Sequence, residues 1–275
     1  MDKKRIFIYL ISILLILFAA YLMIVWQKEN KESADLTNSI HEIVKISEIS
    51  DNDDNTDIVI INPPEEENIT PIYTEVVERS LINVDLNDLI AQNSDTVAWL
   101  RVDGTNIDYP VLQTEDNNYY LTHSFNGNYN SSGWIFADYR NNLTTLDKNT
   151  IIYGHNGTMF GSLKNITKSN WYNDKSNHVV KLSTEYENTL WQVFSIYRIP
   201  ETSDYLNIDF SSDEKYEKFL SLLESRSEYQ FEVDLNKDDK ILTLSTCYKE
   251  SDRVVLHAKL IKMEVKNGNN WYIKK

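Results

Sequence analysis

The sequence predicts a mainly β domain closed into a barrel, standing behind an apolar amino-terminal segment. Three observations carry this prediction. Short apolar or alternating runs recur along the chain, at 98–102, 107–112, 134–137, 150–153, 178–183, 190–197, 240–246 and 254–265. Only two amphipathic helical patterns accompany them, at 81–90 and 212–225. Many short strands with few helices favour a sheet that closes on itself, because closure removes exposed edges.

Taken in order, residues 6–26 are apolar except for Ser12 and the amphipathic Tyr9 and Tyr21. About 20 helical residues cover the ~30 Å hydrocarbon core of a bilayer. Lys3, Lys4 and Arg5 precede the run, which predicts a cytoplasmic amino terminus and an extracytoplasmic remainder. The run outlasts the apolar region of a usual signal peptide, and no clean small-residue cleavage site follows. Residues 1–26 are therefore expected to form an uncleaved, single-pass membrane anchor. Residues 27–74 are polar and acidic, with DNDDNTD at 51–57, Pro63-Pro64 and Glu65, Glu66 and Glu67. Such composition buries too little apolar surface to offset its ordering entropy, so the expectation is a loose tether, with some helix between 36 and 49.

The folded domain is expected over 75–275. Its first element reads as a helix at 81–90, with Leu86, Leu89 and Ile90 on one face. Asp103-Gly104 between the first two strand patterns is a hairpin signal. Within 212–225, Tyr216, Phe219, Leu220 and Leu223 form one apolar stripe, and Ser211 or Ser212 is placed to cap the helix. That stripe is core packing.

Composition narrows the function. The chain has 275 residues and a formal charge of -15, which argues against nucleic acid, since phosphate binding needs clustered Lys and Arg. One cysteine excludes an internal disulfide; outside the cytoplasm a free thiol points to reactivity. No zinc, metalloprotease or phosphate-loop motif is present. The 51–57 tract resembles a calcium loop only briefly. It lacks the glycine at position six, and Asn62 stands where a bidentate Glu is needed. No metal and no cofactor is expected.

The chemistry concentrates at 242–260. In a strand over 241–246, Leu242, Leu244 and Thr246 share one face, while Thr243, Ser245 and Cys247 share the other. The leucines face the core, so Cys247 ends the strand on the more polar side. Arg253 opens the next strand, whose buried face is Val254, Leu256, Ala258 and Leu260, and a short turn brings Arg253 beside Cys247. A guanidinium stabilises a thiolate and can also hold the oxyanion of an attacked carbonyl. A lone cysteine is usually a small buried hydrophobe; its place at a strand end with a following cation favours the catalytic reading.

His155 supplies the matching base. It follows the apolar Ile151 and Ile152 in NTIIYGHN, with Gly154 freeing the backbone where strand becomes loop. His41 lies in a polar stretch, and His123 and His178 flank turns. His257 shares a strand face with Arg253, yet four residues of strand span roughly 13 Å, too far for both to serve one bond. Cysteine–histidine pairs meet only in the fold.

These residues resemble a known family. TLSTC at 243–247, Arg253 opening the next strand and YGHN at 153–156 are similar to a sortase of class B, and AWLRVDGTNIDYPVLQ at 98–113 and GWIFADYR at 133–140 extend the likeness to roughly 86–265. The five residues between Cys247 and Arg253 and the compact GTMFGSL at 157–163 depart from it. The resemblance implies an eight-stranded barrel with a helix before the cysteine strand. It also implies a membrane-anchored cysteine transpeptidase of the Gram-positive cell surface. Cys247 would form a thioacyl-enzyme with the sorting signal of a surface protein, His155 would act as acid and base, and Arg253 would hold the oxyanion. An amine of peptidoglycan or a pilin would be the acceptor. Ser245 shares the face of Cys247 and is a candidate substrate contact, with a local backbone role equally open. A cysteine endopeptidase using water, or a non-catalytic surface-binding domain, are the competing readings.

Overall fold

The computed structural model describes residues 3–50, 58–155, 159–166, 169–247 and 252–266. The acidic tract 51–57, Asn156 of YGHN with residues 157–158, and the loop 248–251 between Cys247 and Arg253 lie outside the described residues.

A helix, α1 (Lys3–Ile43), comes first, followed by β1 (Lys45–Ile49), β2 (Ile58–Ile60), α2 (Pro71–Val77), β3 (Leu81–Asp85) and α3 (Asn87–Gln92). The barrel strands follow: β4 (Thr96–Val102), β5 (Asp108–Leu112), β6 (Phe136–Ala137) and β7 (Asn149–His155). Two short helices, α4 (Leu163–Ile166) and α5 (Ser169–Asn173), lead to β8 (Val179–Thr184) and β9 (Glu187–Pro200). Helix α6 (Asp213–Ser225) precedes β10 (Ile241–Cys247) and β11 (Asp252–Val265).

Eight strands close in the order β10-β7-β6-β5-β4-β8-β9-β11, with β11 returning to β10. Two of the contacts, β7–β10 and β5–β6, are parallel; the others are antiparallel. The length of β11 has a cause. It pairs with β9 along its whole course, while its other edge is shared between β10 at 255–259 and β2 at 262–264.

The barrel interior is one apolar cluster that includes Trp99, Val111, Ile152, Trp191, Leu242, Leu244, Leu256, Ala258 and Leu260. The outer wall is covered as well. On one side α6 lays Tyr216, Phe219, Leu220 and Leu223 over Phe194, Ile241 and Val255. Elsewhere Ile72 and Val76 of α2, with Ile49 and Leu81, cover Val179, Leu190 and Ile261. Both faces of β9 to β11 are therefore covered, so polar side chains such as Gln192, Thr243 and Lys259 are buried along with the apolar ones. Helix α6 starts where Ser212 Oγ accepts the Lys215 amide, satisfying one of the orphan donors of its first turn. The Asp103-Gly104 turn closes the β4–β5 hairpin, with Gly104 at φ 70°.

Two expectations are corrected. Residues 81–85 are strand, not helix, because β1 supplies an antiparallel partner and Leu81 and Ile82, on opposite faces, and Val84 are all buried; the helical pattern survives only in α3. The described residues of 27–74, that is 27–50 and 58–74, are not loose coil. Helix α1 continues to Ile43, with Ile40 buried and Leu36 and Ile43 packed on the barrel, and β1, β2 and α2 follow. Its sparse isoleucines and leucines have little to bury against each other, but the barrel provides their partner surface.

Candidate active site

The residues singled out by the sequence meet at one end of the barrel because three neighbouring strands end or begin there. In the parallel β7–β10 ladder Cys247 pairs with His155, residue against residue. The antiparallel β10–β11 ladder pairs Ser245 with Val255. Two residues further, the same register sets Cys247 opposite Arg253, and the Val254 amide donating to Thr246 Oγ1 at 2.8 Å agrees with it. Adjacent strands lie about 4.8 Å apart, so His155, Cys247 and Arg253 form one row across three strands.

Each position has a local reason. Gly154 is required by proximity: a Cβ there would stand 2.7 Å from the Phe160 ring, and Phe160 in turn donates its amide to the His155 carbonyl. The expected backbone freedom is not what the position uses. The His155 ring is held by the Leu121 carbonyl, which accepts from Nε2 at 2.7 Å. A carbonyl can only accept, so Nε2 carries a proton. Arg253 is mostly buried, and its guanidinium pairs with the exposed Glu201 at 2.9 Å. Beneath β7, Tyr153 donates to Asp138, which also accepts two side-chain hydrogen bonds from Arg140. Burial alone would raise the Asp138 pKa, but the Arg140 and Tyr153 hydrogen bonds hold it below the ordinary carboxylate value.

On the second face of β10, Thr243 and Ser245 are polar and yet buried. Ser245 is 1% exposed and its Oγ lies 2.9 Å from the Tyr205 hydroxyl, so it belongs to the wall of the barrel. Beside it runs a hydrogen-bond chain. Asn149 donates to the Tyr205 and Asn207 carbonyls and accepts from Thr243 Oγ1. Thr243 spends its only proton there and so accepts from His257 Nδ1, leaving Nε2 to accept from Tyr197. His257 is thus a neutral core histidine; burial, with a smaller effect from Arg226, pushes its pKa down to about 3.

The remaining histidines also have structural partners. His41 meets Trp99 edge-on at 5.3 Å, so the stretch around it does touch the core. His123 stacks on Tyr119, and His178 donates to the Tyr172 carbonyl among Trp171 and Phe231. Sequence reasoning missed the supports of the site: the Leu121 carbonyl, Glu201 and Tyr205. A backbone acceptor leaves no mark in the sequence. No group of His, Cys, Asp and Glu fit to hold a metal occurs among the described residues. A cavity of about 600 Å³ lies between 64–73 and 230–234 and is lined by none of His155, Cys247 or Arg253.

Comparison with known proteins agrees with this architecture. The sequence model of the Sortase domain family matches residues 100–261, more than half of the chain. The chain belongs to the sortase family, in its class B. It is 37% identical to sortase B of Listeria monocytogenes over 205 residues, 69% of this chain and 81% of that protein. To sortase B of Staphylococcus aureus it is 36% identical over 178 residues, covering 62% and 72%. Among solved structures, the S. aureus sortase B–substrate complex superposes with a TM-score of 0.61 at 35% identity, covering 64% of this chain and 84% of that one. Clostridium perfringens sortase B gives 0.59 at 40%, covering 64% and 100%. The chain is therefore an enzyme, a cysteine transpeptidase of the sortase type.

Proposed function

We propose that this transpeptidase is anchored by α1 and joins surface proteins to an amine of the cell envelope through a thioacyl intermediate. In this reading Cys247 attacks the carbonyl at the cleavage point of a sorting signal, and the departing amine takes a proton from His155. His155 then removes a proton from the incoming amine of peptidoglycan or a pilin, the alternation that a two-step acyl transfer requires. Arg253 donates to the developing oxyanion. The Leu121 carbonyl keeps the His155 ring in place, and Ser245 keeps β10 in its wall through Tyr205. The solved S. aureus relatives include a complex with a substrate, and a solved sortase B is complexed with triglycine. Both support a peptide donor and an amine acceptor here too.

The observation that carries the reading is the row of Cys247, His155 and Arg253 on neighbouring strand ends. Helix α1 supports the anchor: from Ile6 to Trp26 its large apolar side chains are almost all exposed, and the helix is long and apolar enough to cross a bilayer. We take residues 1–26 as the anchor, 27–74 as a strap docked on the barrel and 75–275 as the catalytic domain.

A labelled sorting peptide tests the proposal. Incubated with the protein it should form a thioester carrying only the acyl fragment amino-terminal to the cleavage point, with release of the carboxy-terminal amine fragment, and this thioester should clear faster when triglycine is added. Cys247→Ala should fold and form none. Cleavage by the folded alanine variant would remove Cys247 as the nucleophile. Cleavage unaffected by amine, with only hydrolysed product, would favour a water-dependent endopeptidase.

A further inference from the structure

We propose that the loop around Tyr119, His123 and Tyr129 rests on the lipid headgroups beside α1, so that the barrel meets the membrane directly. The inference depends on α1 spanning the bilayer, as proposed above.

Two independent observations lead to it. The first is position. The apolar run of α1 ends at Trp26, and its 21 residues at ~1.5 Å each are as long as the hydrocarbon core is thick. Only three residues further, the barrel already touches the helix. Asn130 Nδ2 donates to the Glu29 carbonyl at 3.2 Å and to Ser33 Oγ at 2.9 Å. The amide and hydroxyl of Ser131 both donate to the Glu29 carboxylate. A rise of about 4.5 Å separates Glu29 from Trp26, whereas the polar zone of a bilayer adds roughly 5–8 Å on each side of the core. The loop therefore stands at headgroup level, and the barrel extends away from it along α1 toward the Ile40 and His41 contacts.

The second observation is charge. One residue in four of this chain is charged and the total is -15, so anionic headgroups repel the molecule as a whole. Between Asp116 and Asp138, however, the sequence contains no Asp, Glu, Lys or Arg. What it exposes instead is aromatic and amide: Tyr129 at 68%, Tyr119 at 39%, with Asn126 and Asn128. Tyr119 stacks on His123 at 4.1 Å, and His123 meets Tyr129 edge-on. Amphipathic rings favour the boundary between lipid and water. Of the acids at this level, Glu29 is held by Ser131, and Asp116 is turned back onto the Asn118 and Tyr119 amides. The same loop carries Leu121, whose carbonyl holds His155, so this contact sets the candidate active site close to the bilayer.

Spin labels on the full chain test the proposal. In a Cys247→Ala background, three single variants carry the label: Tyr129→Cys, Ile16→Cys within the apolar run, and Asp238→Cys in the turn before β10 at the opposite rim. The proteins are reconstituted in vesicles of phosphatidylethanolamine and phosphatidylglycerol, and collisions with oxygen and with a water-soluble nickel chelate are measured. The label at position 16 should be shielded from nickel and that at 238 open to it. The label at 129 should be intermediate, losing its shielding when the protein is moved into detergent. A label at 129 as open to nickel as that at 238, beside a shielded one at 16, would overturn the loop contact and leave the anchor standing. A label at 16 open to nickel would overturn the anchor and the loop contact together.

Discussion

Arg253 presents its guanidinium from a mostly buried stem to Glu201, an acceptor that is itself exposed. Because Glu201 is open to water, in the proposed mechanism the guanidinium turns from it to the substrate carbonyl. A planar fork offers parallel donors to one site and an ammonium does not. Arg253→Lys is expected to lose roughly 10²–10³ in kcat/KM on a sorting peptide, the usual loss for an oxyanion donor, while near-normal turnover would reduce Arg253 to a general positive charge. The two rival histidines separate on different axes. His155→Ala should lose both cleavage and amine transfer with little change in stability, since its ring is only partly buried at a strand end. His257→Ala should keep most turnover but unfold earlier, by about 2–4 kcal/mol, because Tyr197 and Thr243 lose a buried partner. Steady-state kinetics and urea unfolding of both variants decide it: an inactive, stable His257 variant would reverse the assignment.

At the scale of elements, the described parts of 27–74 pack on the barrel. Ile40 and Ile49 are buried against the barrel and its outer sheet, and β2 extends the edge of β11. Removing residues 1–26 takes away only the exposed apolar run, and the remaining protein is expected to be soluble, monomeric and active. Removal of residues 1–61 uncovers Trp99, the edge of β3 and the end of β11. Each fully buried aliphatic side chain contributes about 1.5–3 kcal/mol, so this shorter fragment should melt well below the longer one and self-associate. Thermal unfolding and gel filtration of the two fragments test this, and equal behaviour would return 27–61 to the status of a free tether.

For the molecule as a whole, acid stability follows from groups whose protonation folding opposes. His257 is neutral in the fold with a pKa of about 3, against about 6.5 when unfolded. The unfolded chain binds the extra proton between these values, so this contribution is complete above about pH 6.5 and declines as the pH falls toward about 3. Asp138 is held ionised below the usual carboxylate value, and its contribution is lost lower still, as the pH falls below about 4. Melting temperature should thus drop steadily from about pH 6.5 downward. A His257→Gln variant should flatten the upper part of that decline; an unchanged slope would mean that His257 does not govern it.

Much of this molecule was legible in its residues, for reasons that are local. A strand's period of two showed which side of β10 the leucines take, and a serine cap with a four-residue apolar stripe located α6. The row of Cys247, His155 and Arg253 was readable because each stands where a strand pattern meets a loop. Closure of the barrel, by contrast, rests on β10 pairing in parallel with β7, far earlier in the chain, a choice made by burial on both faces. The same nonlocal surface turned 81–85 into strand and drew Leu36, Ile40, Ile49 and Ile72 of the polar amino-terminal stretch onto the wall. Residue types and periods by themselves determined the apolar amino-terminal helix, most of the strands and which residues are candidates for the chemistry, since these depend on side chain and period alone. Only the tertiary structure decided that Thr243 and Ser245 of β10 are buried, that His257 is a neutral core residue and that a carbonyl at Leu121 orients His155. Each of those depends on a partner supplied by a distant part of the chain.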